Sequence, residues 1–255
     1  MDRKVAIDPF VEPCSEFGAT LMDDRREIFW GGYSMIEAVS DMARKALADP
    51  NFTNFLHISG DTYPIVSNET LADWASRDID QIDHWPAEPD SLVYRRIKNV
   101  YLPDSRIGEL RSHRRHEERY LSRQIVDSLD EIRSVFEMKH SSNFPITFSK
   151  GANWWCLRRA TLEMCLDKLR SNRELALWFR YSSNPDESVF NSLVASFADC
   201  SKVAQCPVAA LWNYAPAPYE FKSVADFGKI ASLKQPFARK FAEEAVDLLD
   251  HLDKS

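Results

Sequence analysis

Short apolar runs alternate with segments of helical spacing over the first eighty residues, and this alternation constrains the fold more than any other feature. The apolar runs span residues 5–7, 27–30 and 55–59, and the helical segments span residues 34–49 and 68–77. Alternating strands and helices predict an α/β fold, with a mixed, mostly parallel sheet and helices on both faces. Ligands bind such sheets where strands end at their carboxyl edge, and Asp8, Trp30 and Asp61 occupy such positions.

The rest of the chain continues the mixture of strands and helices. The patterns predict strands over 92–102 and 144–157, a long charged helix over 107–140, and helices over 159–169, 185–197 and 236–252. The last of these is amphipathic, with Phe237, Phe241, Val246 and Leu249 spaced for one face. The long charged helix either covers the sheet or holds a molecule on which the protein acts.

Charge and cysteine content exclude several classes of protein. The formal net charge is −7 and the pI is about 5.5, whereas a general nucleic-acid binder is usually basic. Five cysteines without a CxxC pair favour free thiols in a reducing compartment, although a Cys200–Cys206 disulfide stays open. No apolar run approaches the roughly 18–20 residues of a membrane helix, and no signal peptide opens the chain. We therefore expect a cytoplasmic protein, which would lie at a membrane only if the molecule on which it acts is linked to a lipid.

The sequence contains neither of the two standard phosphate-binding loops. With only seven glycines, it has no G-x-G-x-x-G and no G-x-x-x-x-G-K-[ST], which argues against dehydrogenases and P-loop enzymes. Two patterns are typical of metal sites: His113 with His116, and Asp78 with Asp80. The histidines lie in a charged segment that favours a solvated helix face, and the aspartates follow a helix instead of a strand end. We expect no metal.

Asn184, Pro185 and Glu187 together form a typical helix start. Asn184 can cap the helix, Pro185 takes its first position, and the Glu187 side chain can reach back to the start of the helix. Capping alone therefore explains Glu187. The same position also suits a catalytic base, because a carboxylate at a helix N-terminus is favoured in its ionised form. It can then accept a proton from an attacking hydroxyl.

Arg239 and Lys240 have two interpretations. Lys240 and Glu244 are spaced to form an exposed ion pair on a helix. Alternatively, the two cations stabilise a leaving diphosphate.

Two aromatic pairs, Trp154 with Trp155 and Trp212 with Tyr214, also have two interpretations. Core packing is the usual explanation of such pairs. Stacking of a sugar on an exposed indole is the alternative.

Taken in order, several short segments resemble the core-2/I-branching enzymes, glycosyltransferase family 14. They are residues 6–8, 29–38, 55–65, 150–157, 184–187 and 237–241. Each is weak alone, but their order and spacing span most of the chain. The resemblance implies one GT-A-like domain over residues 1–255, with a nucleotide-binding part at 1–80 and an acceptor-binding, catalytic part at 81–255.

The resemblance also implies inverting, metal-independent transfer from a UDP-sugar of the N-acetylglucosamine or xylose class. Glu187 corresponds to the catalytic base, Lys240 to the residue facing the diphosphate and Asp8 to the residue facing the uridine. Arg239 stands beside Lys240 on the donor side. Lys222 stands where some members have Arg, which keeps the charge but loses the bidentate geometry. On the acceptor side, the matching positions are Asp61, Arg95, Arg96, Trp154, Trp212 and Tyr214.

Two departures from the family keep other functions open. The acidic residue of the third apolar run is displaced by one place, to Asp61. The family's first strand and helix, which normally precede Asp8, are missing, so we expect an incomplete uridine pocket. The alternatives are a non-catalytic glycan- or nucleotide-binding protein that kept the fold, and a metal-dependent transferase that uses Asp61.

Overall fold

A computed structural model describes residues 2–89, 91–102, 104, 129–141, 146–212 and 217–254. The helices are α1 Asp8–Glu16, α2 Ser34–Leu47, α3 Asn68–Ala75, α4 Leu92–Lys98, α5 Leu129–Ser141, α6 Arg159–Ser171, α7 Arg173–Arg180, α8 Val189–Phe197, α9 Phe227–Ile230 and α10 Val246–Leu252. The strands are β1 Asn54–His57, β2 Thr62–Pro64, β3 Asp80–Gln81, β4 Trp85–Pro86, β5 Ser149–Lys150, β6 Trp155–Arg158, β7 Val203–Ala204, β8 Val208–Ala210 and β9 Phe237–Arg239. The predicted mixture of helices and strands is confirmed.

The strands form three sheets of mixed direction. The largest has the order β1-β6-β3-β7, the second β2-β9-β8, and β4 pairs with β5. Among the described residues, four of the six strand pairings are antiparallel, and only β3–β7 and β8–β9 are parallel. The prediction of a mostly parallel sheet is therefore wrong, because β6 enters between β1 and β3 and runs antiparallel to both.

The core consists of three clusters of buried side chains. The main cluster packs α2, α6, α7 and α8 against the first sheet, with Trp178, Phe179 and Leu193 fully buried. A second cluster lies under the second sheet and α10. The third contains Cys156 of the first sheet and Phe237 of the second. Burial of this third cluster joins the two sheets, because separating them would expose its apolar surface to water.

The two apolar runs nearest the N-terminus form no strands. Residues 5–7 lead into α1, where Pro9 lies in the first turn and pre-sets the helical φ. Asp8 therefore opens a helix and does not end a strand, and no residue of α1 is buried. Residues 27–30 form no ladder with any described strand and end in a turn at Trp30. Both strand predictions were wrong because a short apolar run does not by itself supply a pairing partner.

Two further segments differ from their predictions. Residues 92–98 form a helix instead of a strand, and the Ser91 side chain caps it by accepting a hydrogen bond from Tyr94 N. The segment 236–252 divides into β9 and α10, because Phe237 and its neighbours pair with both β2 and β8. Lys240 consequently follows a strand, whereas the sequence placed it in a helix.

Other predictions are confirmed. Helices α2, α3 and α6 lie at the predicted segments 34–49, 68–77 and 159–169, and β1 overlaps the third apolar run. All five cysteines are free thiols, so Cys200 and Cys206 form no disulfide. Of the predicted helix 107–140, residues 129–140 are helical and the preceding part lies outside the described residues. The described helices include none with the length and apolarity to cross a membrane.

Candidate active site

The segment that carries Glu187 is anchored at its start by two unusual backbone conformations. Asn184 adopts a left-handed conformation with φ 52°, and residues Pro185–Glu187 form a 3-10 turn ahead of α8. Asn184 N donates to Gly31 O at 3.0 Å, and Gly31 itself has φ +69°. The Asn184 side chain makes no capping hydrogen bond, contrary to the sequence-based expectation. The start of the turn is held by the backbone hydrogen bond to Gly31 instead.

The Glu187 side chain is half exposed and paired with a cation. Arg96 Nη1 lies 3.5 Å from Glu187 Oε2, and the Glu187 side chain is 49% exposed. Gly151 N donates to the Glu187 carbonyl at 3.0 Å. Partial burial raises the pKa of Glu187, while the charges of Arg96 and Lys150 act in the opposite direction. The result is a fixed backbone that carries an accessible carboxylate of increased proton affinity.

The preceding carboxyl, Asp186, has a different environment. Burial, reinforced by the charge of Glu187, raises the pKa of Asp186 to about 6. Its Oδ1 is buried and accepts no hydrogen bond from the described residues. The two neighbouring carboxyls thus differ in solvation, and Glu187 is the more accessible one.

Gly151 is required by close packing. A Cβ at this position would lie 2.5 Å from Asp83 O and 2.6 Å from Asp83 Cβ, and closer still to Asn191 Nδ2. Asn191 Nδ2 donates to Asp83 O at 2.8 Å, which keeps these atoms in place. Sequence reasoning missed Gly151, Asp83 and Asn191 as supports of the site, although Lys150 and Gly151 lie in a segment that resembles the family.

A second group contains three of the residues that the sequence singled out. Arg239 binds both carboxylate oxygens of Asp61, with Nη2–Oδ2 at 2.8 Å and Nε–Oδ1 at 3.3 Å. The Arg239 guanidinium lies 4.3 Å from the centre of the Trp154 ring. Burial acts to raise the pKa of Asp61, but hydrogen bonds from Arg239 and Ser59 outweigh it and hold that pKa below its usual value. Asp61 is therefore an ionised carboxylate with its charge already paired.

The loop between β5 and β6 connects the two groups. Its Gly151 is bonded to the Glu187 backbone, and its Trp154 is stacked on Arg239. Two residues three positions apart have Cα atoms within about 11 Å of each other, since consecutive Cα atoms are ~3.8 Å apart. The base candidate Glu187 and the cation Arg239 thus flank one short loop.

Lys222 and Lys240 lie together on the second sheet. Phe221 N donates to Lys240 O at 2.8 Å, so the two segments run side by side. Lys240 Nζ lies 3.5 Å from Glu220, and Lys222 Nζ lies 3.3 Å from Glu220 and 3.6 Å from Glu244. The anticipated Lys240–Glu244 helical pair is replaced by this shared arrangement, because residue 240 is not helical.

The remaining predicted residues are more scattered. Asp8 and Arg95 are exposed on α1 and α4, and Trp212 is 61% exposed. Tyr214 lies outside the described residues. Within the described part of the chain, contacts join Lys240 to Glu220 and do not join it to Glu187 or Asp8.

The two aspartates that resemble a metal motif are held by cations. Asp80 is fully buried and accepts hydrogen bonds from Arg158 and Thr161. Asp78 pairs with Arg158 and with Lys202. Among the residues that the structure describes, no group of three or more His, Cys, Asp or Glu side chains is arranged to hold a metal ion. The other metal candidate, the pair of histidines near residue 115, lies outside the described residues.

Comparison with known families gives one match. The sequence model of the family described as Branch, Core-2/I-Branching enzyme, matches residues 14–227, which is more than four fifths of the 255 residues. The matched range includes Arg96, Trp154, Glu187 and Lys222, and leaves residues 239–240 outside. No curated protein matches the chain.

Proposed function

The chain belongs to the Core-2/I-branching enzyme family, a family of glycosyltransferases, and on this basis we propose that it is an inverting, UDP-sugar-dependent transferase with a GT-A-like fold. The donor sugar is of the N-acetylglucosamine or xylose class, and the acceptor is a hydroxyl of a glycan or a related molecule. Residues 1–80 contribute to the donor side and residues 81–255 to the acceptor side and the base.

The observation that carries the proposal is the environment of Glu187. Its carboxylate is half exposed, lies 3.5 Å from Arg96 and belongs to a segment fixed by backbone hydrogen bonds at both ends. A general base needs a fixed position and a proton affinity raised towards the working pH, and partial burial raises the pKa of Glu187.

In the proposed reaction, Glu187 accepts the proton of the acceptor hydroxyl. The acceptor oxygen forms a bond to the anomeric carbon on the face opposite UDP, and the bond from that carbon to the β-phosphate oxygen breaks. UDP leaves with the bonding electron pair, and its new negative charge requires nearby cations. Lys222 and Lys240 supply the positive charge that stabilises it, with Arg239 next to Lys240 in the sequence, so the proposed reaction needs no metal.

For the donor phosphates to be bound, the two lysines must exchange partners. Lys222 contacts Glu220 and Glu244, and Lys240 contacts Glu220. A diphosphate bears more negative charge than a single carboxylate, so we expect it to displace Glu220. Asp61, whose two oxygens are bound by Arg239, holds that guanidinium over the Trp154 ring.

The test is a donor panel on the full chain. UDP-N-acetylglucosamine and UDP-xylose are incubated with glycan acceptors, UDP release is measured, and the anomeric configuration of the product is determined. We expect acceptor-dependent release with inversion, unchanged by EDTA. Activity that EDTA abolishes and manganese restores would support the metal-dependent alternative through Asp61. Thermal stabilisation by UDP without turnover of either donor would support the non-catalytic binding protein.

A further inference from the structure

Lys139 of α5 is a fully buried lysine with an unusual set of partners. Its side chain has no exposed surface, and its Nζ lies 3.0 Å from each of four acceptors, Ile97 O, Asn99 O, Tyr181 O and Ser182 Oγ, which share its N–H donors. Within the described part of the chain, no carboxylate pairs with it. Burying an amino group is costly unless its donors are satisfied, so these acceptors are what stabilises it.

The four acceptors come from the ends of two helices. Ile97 is in the last turn of α4 and Asn99 is its C-cap, while Tyr181 is the C-cap of α7. Carbonyls at a helix C-terminus lack intrahelical partners and accept hydrogen bonds from a donor placed there. One lysine amino group therefore caps two helix ends at once, which explains why it is accommodated without a carboxylate.

The same two helix ends lead directly to the proposed catalytic pair. Arg96 precedes Ile97 in α4, and Ser182 precedes the Asn184–Glu187 turn. Ser183 N donates to Arg96 O at 3.0 Å, and Tyr101 N donates to Tyr181 O at 2.9 Å. These hydrogen bonds hold the two segments side by side, and the Lys139 amino group bridges them from the buried side.

We propose that Lys139 is a positioning residue that sets the separation of Arg96 and Glu187. By holding the end of α4 against the segment before the turn, it fixes the position from which Arg96 acts on the Glu187 carboxylate. The proposal rests on the proposed role of Glu187 as the base. A displacement of about 1 Å in a reacting group costs up to roughly 10²-fold in rate, so loss of this bridge is expected to lower kcat.

The test compares Lys139→Met with Lys98→Met in the full chain. Both lysines lie over the Trp178 ring, at 5.6 Å and 5.2 Å from its centre, but only Lys139 bridges the two segments. The primary readout is the pKa of Glu187, measured by carbon NMR, with its signal assigned by comparison with Glu187→Gln. The charged groups facing Glu187 are Arg96 and Lys150, beside the neighbouring Asp186.

In Lys139→Met we expect a higher Glu187 pKa, since Arg96 moves away and its lowering effect weakens. We also expect kcat to fall by up to roughly 10²-fold, with little change in the KM for the donor. Lys98→Met should match the wild type in both measurements. A general loss of stability would not move the Glu187 pKa in a chain that remains folded.

If Lys139→Met is folded and its Glu187 pKa equals that of the wild type, the proposal is wrong. If Lys139→Met does not fold, Ser182→Ala removes one acceptor and must shift the Glu187 pKa in the same direction by a smaller amount; an unchanged pKa overturns the proposal. If Lys139→Met raises the Glu187 pKa but the wild-type chain transfers no sugar, the positioning role is supported and the proposed function is contradicted.

Discussion

The Arg96–Glu187 pair and the Lys222–Lys240 pair are both charged sites, but they are built in different ways. Glu187 belongs to a turn whose backbone is bonded to Gly31 and Gly151. Lys222 is exposed and Lys240 is half exposed, and their side chains form ion pairs: both contact Glu220, and Lys222 also contacts Glu244. Exposed ion pairs contribute little to stability. In the proposed reaction, the base is therefore positioned before substrates bind, whereas the cations change partners when the donor arrives.

The largest expected effect concerns the base itself. Glu187→Gln should lower kcat by about 10²–10⁴-fold, the usual contribution of general base catalysis, with little change in thermal stability. The measurement is acceptor-dependent UDP release. Glu163→Gln is the matched control, because Glu163 has the same 49% side-chain exposure and also pairs with an arginine, Arg159. Equal losses in the two variants would remove Glu187 from the mechanism.

The next effect tests the rigidity of the first region. Gly151→Ala should lower the free energy of unfolding by about 1–3 kcal/mol, since an added methyl overpacks a site already in contact with Asp83 and Asn191. Urea denaturation measures this. Gly60→Ala is the control, because a Cβ there would meet no atom within 4 Å. If the two variants are equally stable, the loop at Gly151 relaxes around the added methyl group and does not hold Glu187 rigidly.

The buried lysine makes the first region sensitive to pH. Burial, with a contribution from Lys98, lowers the pKa of Lys139 from its ordinary value to about 6. Between about pH 6 and pH 10 the unfolded chain therefore binds more protons, and the free energy of unfolding rises with pH. The expected slope is at most about 1.4 kcal/mol per pH unit. Relative to Lys139→Met, the wild type should gain stability from pH 6 to pH 8; parallel profiles would contradict the lowered pKa.

The smallest effects are expected in the second region. Glu220→Gln should strengthen UDP binding a few-fold, because it removes the carboxylate charge that both lysines share, while Lys240→Ala should weaken it. Each variant should change stability by less than about 1 kcal/mol, as for other surface substitutions. Isothermal titration with UDP measures the affinity. Glu243→Gln, an exposed acid with no described contact to either lysine, is the control. If Glu220→Gln weakens binding, the lysines do not exchange partners.

The sequence was sufficient for features that depend on local patterns. The helix that begins at residue 159 follows from its periodicity. Glu187 stands out because four consecutive residues, 184–187, predict its turn. The Arg239–Asp61 contact was not predictable, because it depends on β9 pairing with a strand 175 positions earlier. Lys139 was not recognised either, since nothing in a charged helical segment indicates which lysine will be buried. The strand predicted over 92–102 shows that a short apolar run does not distinguish strand from helix.

The cluster that joins the two sheets also supplies a built-in reporter of their separation. Cys156 and Cys206 are buried in it, and burial raises the pKa of each thiol to about 12. Thiol reagents attack the thiolate, so both cysteines stay unreactive while the sheets are in contact. Cys200 is exposed and provides the reference rate. The rate of labelling at Cys156 and Cys206, relative to that at Cys200, would therefore measure how often the two sheets, and with them the regions of Glu187 and Lys240, separate during turnover.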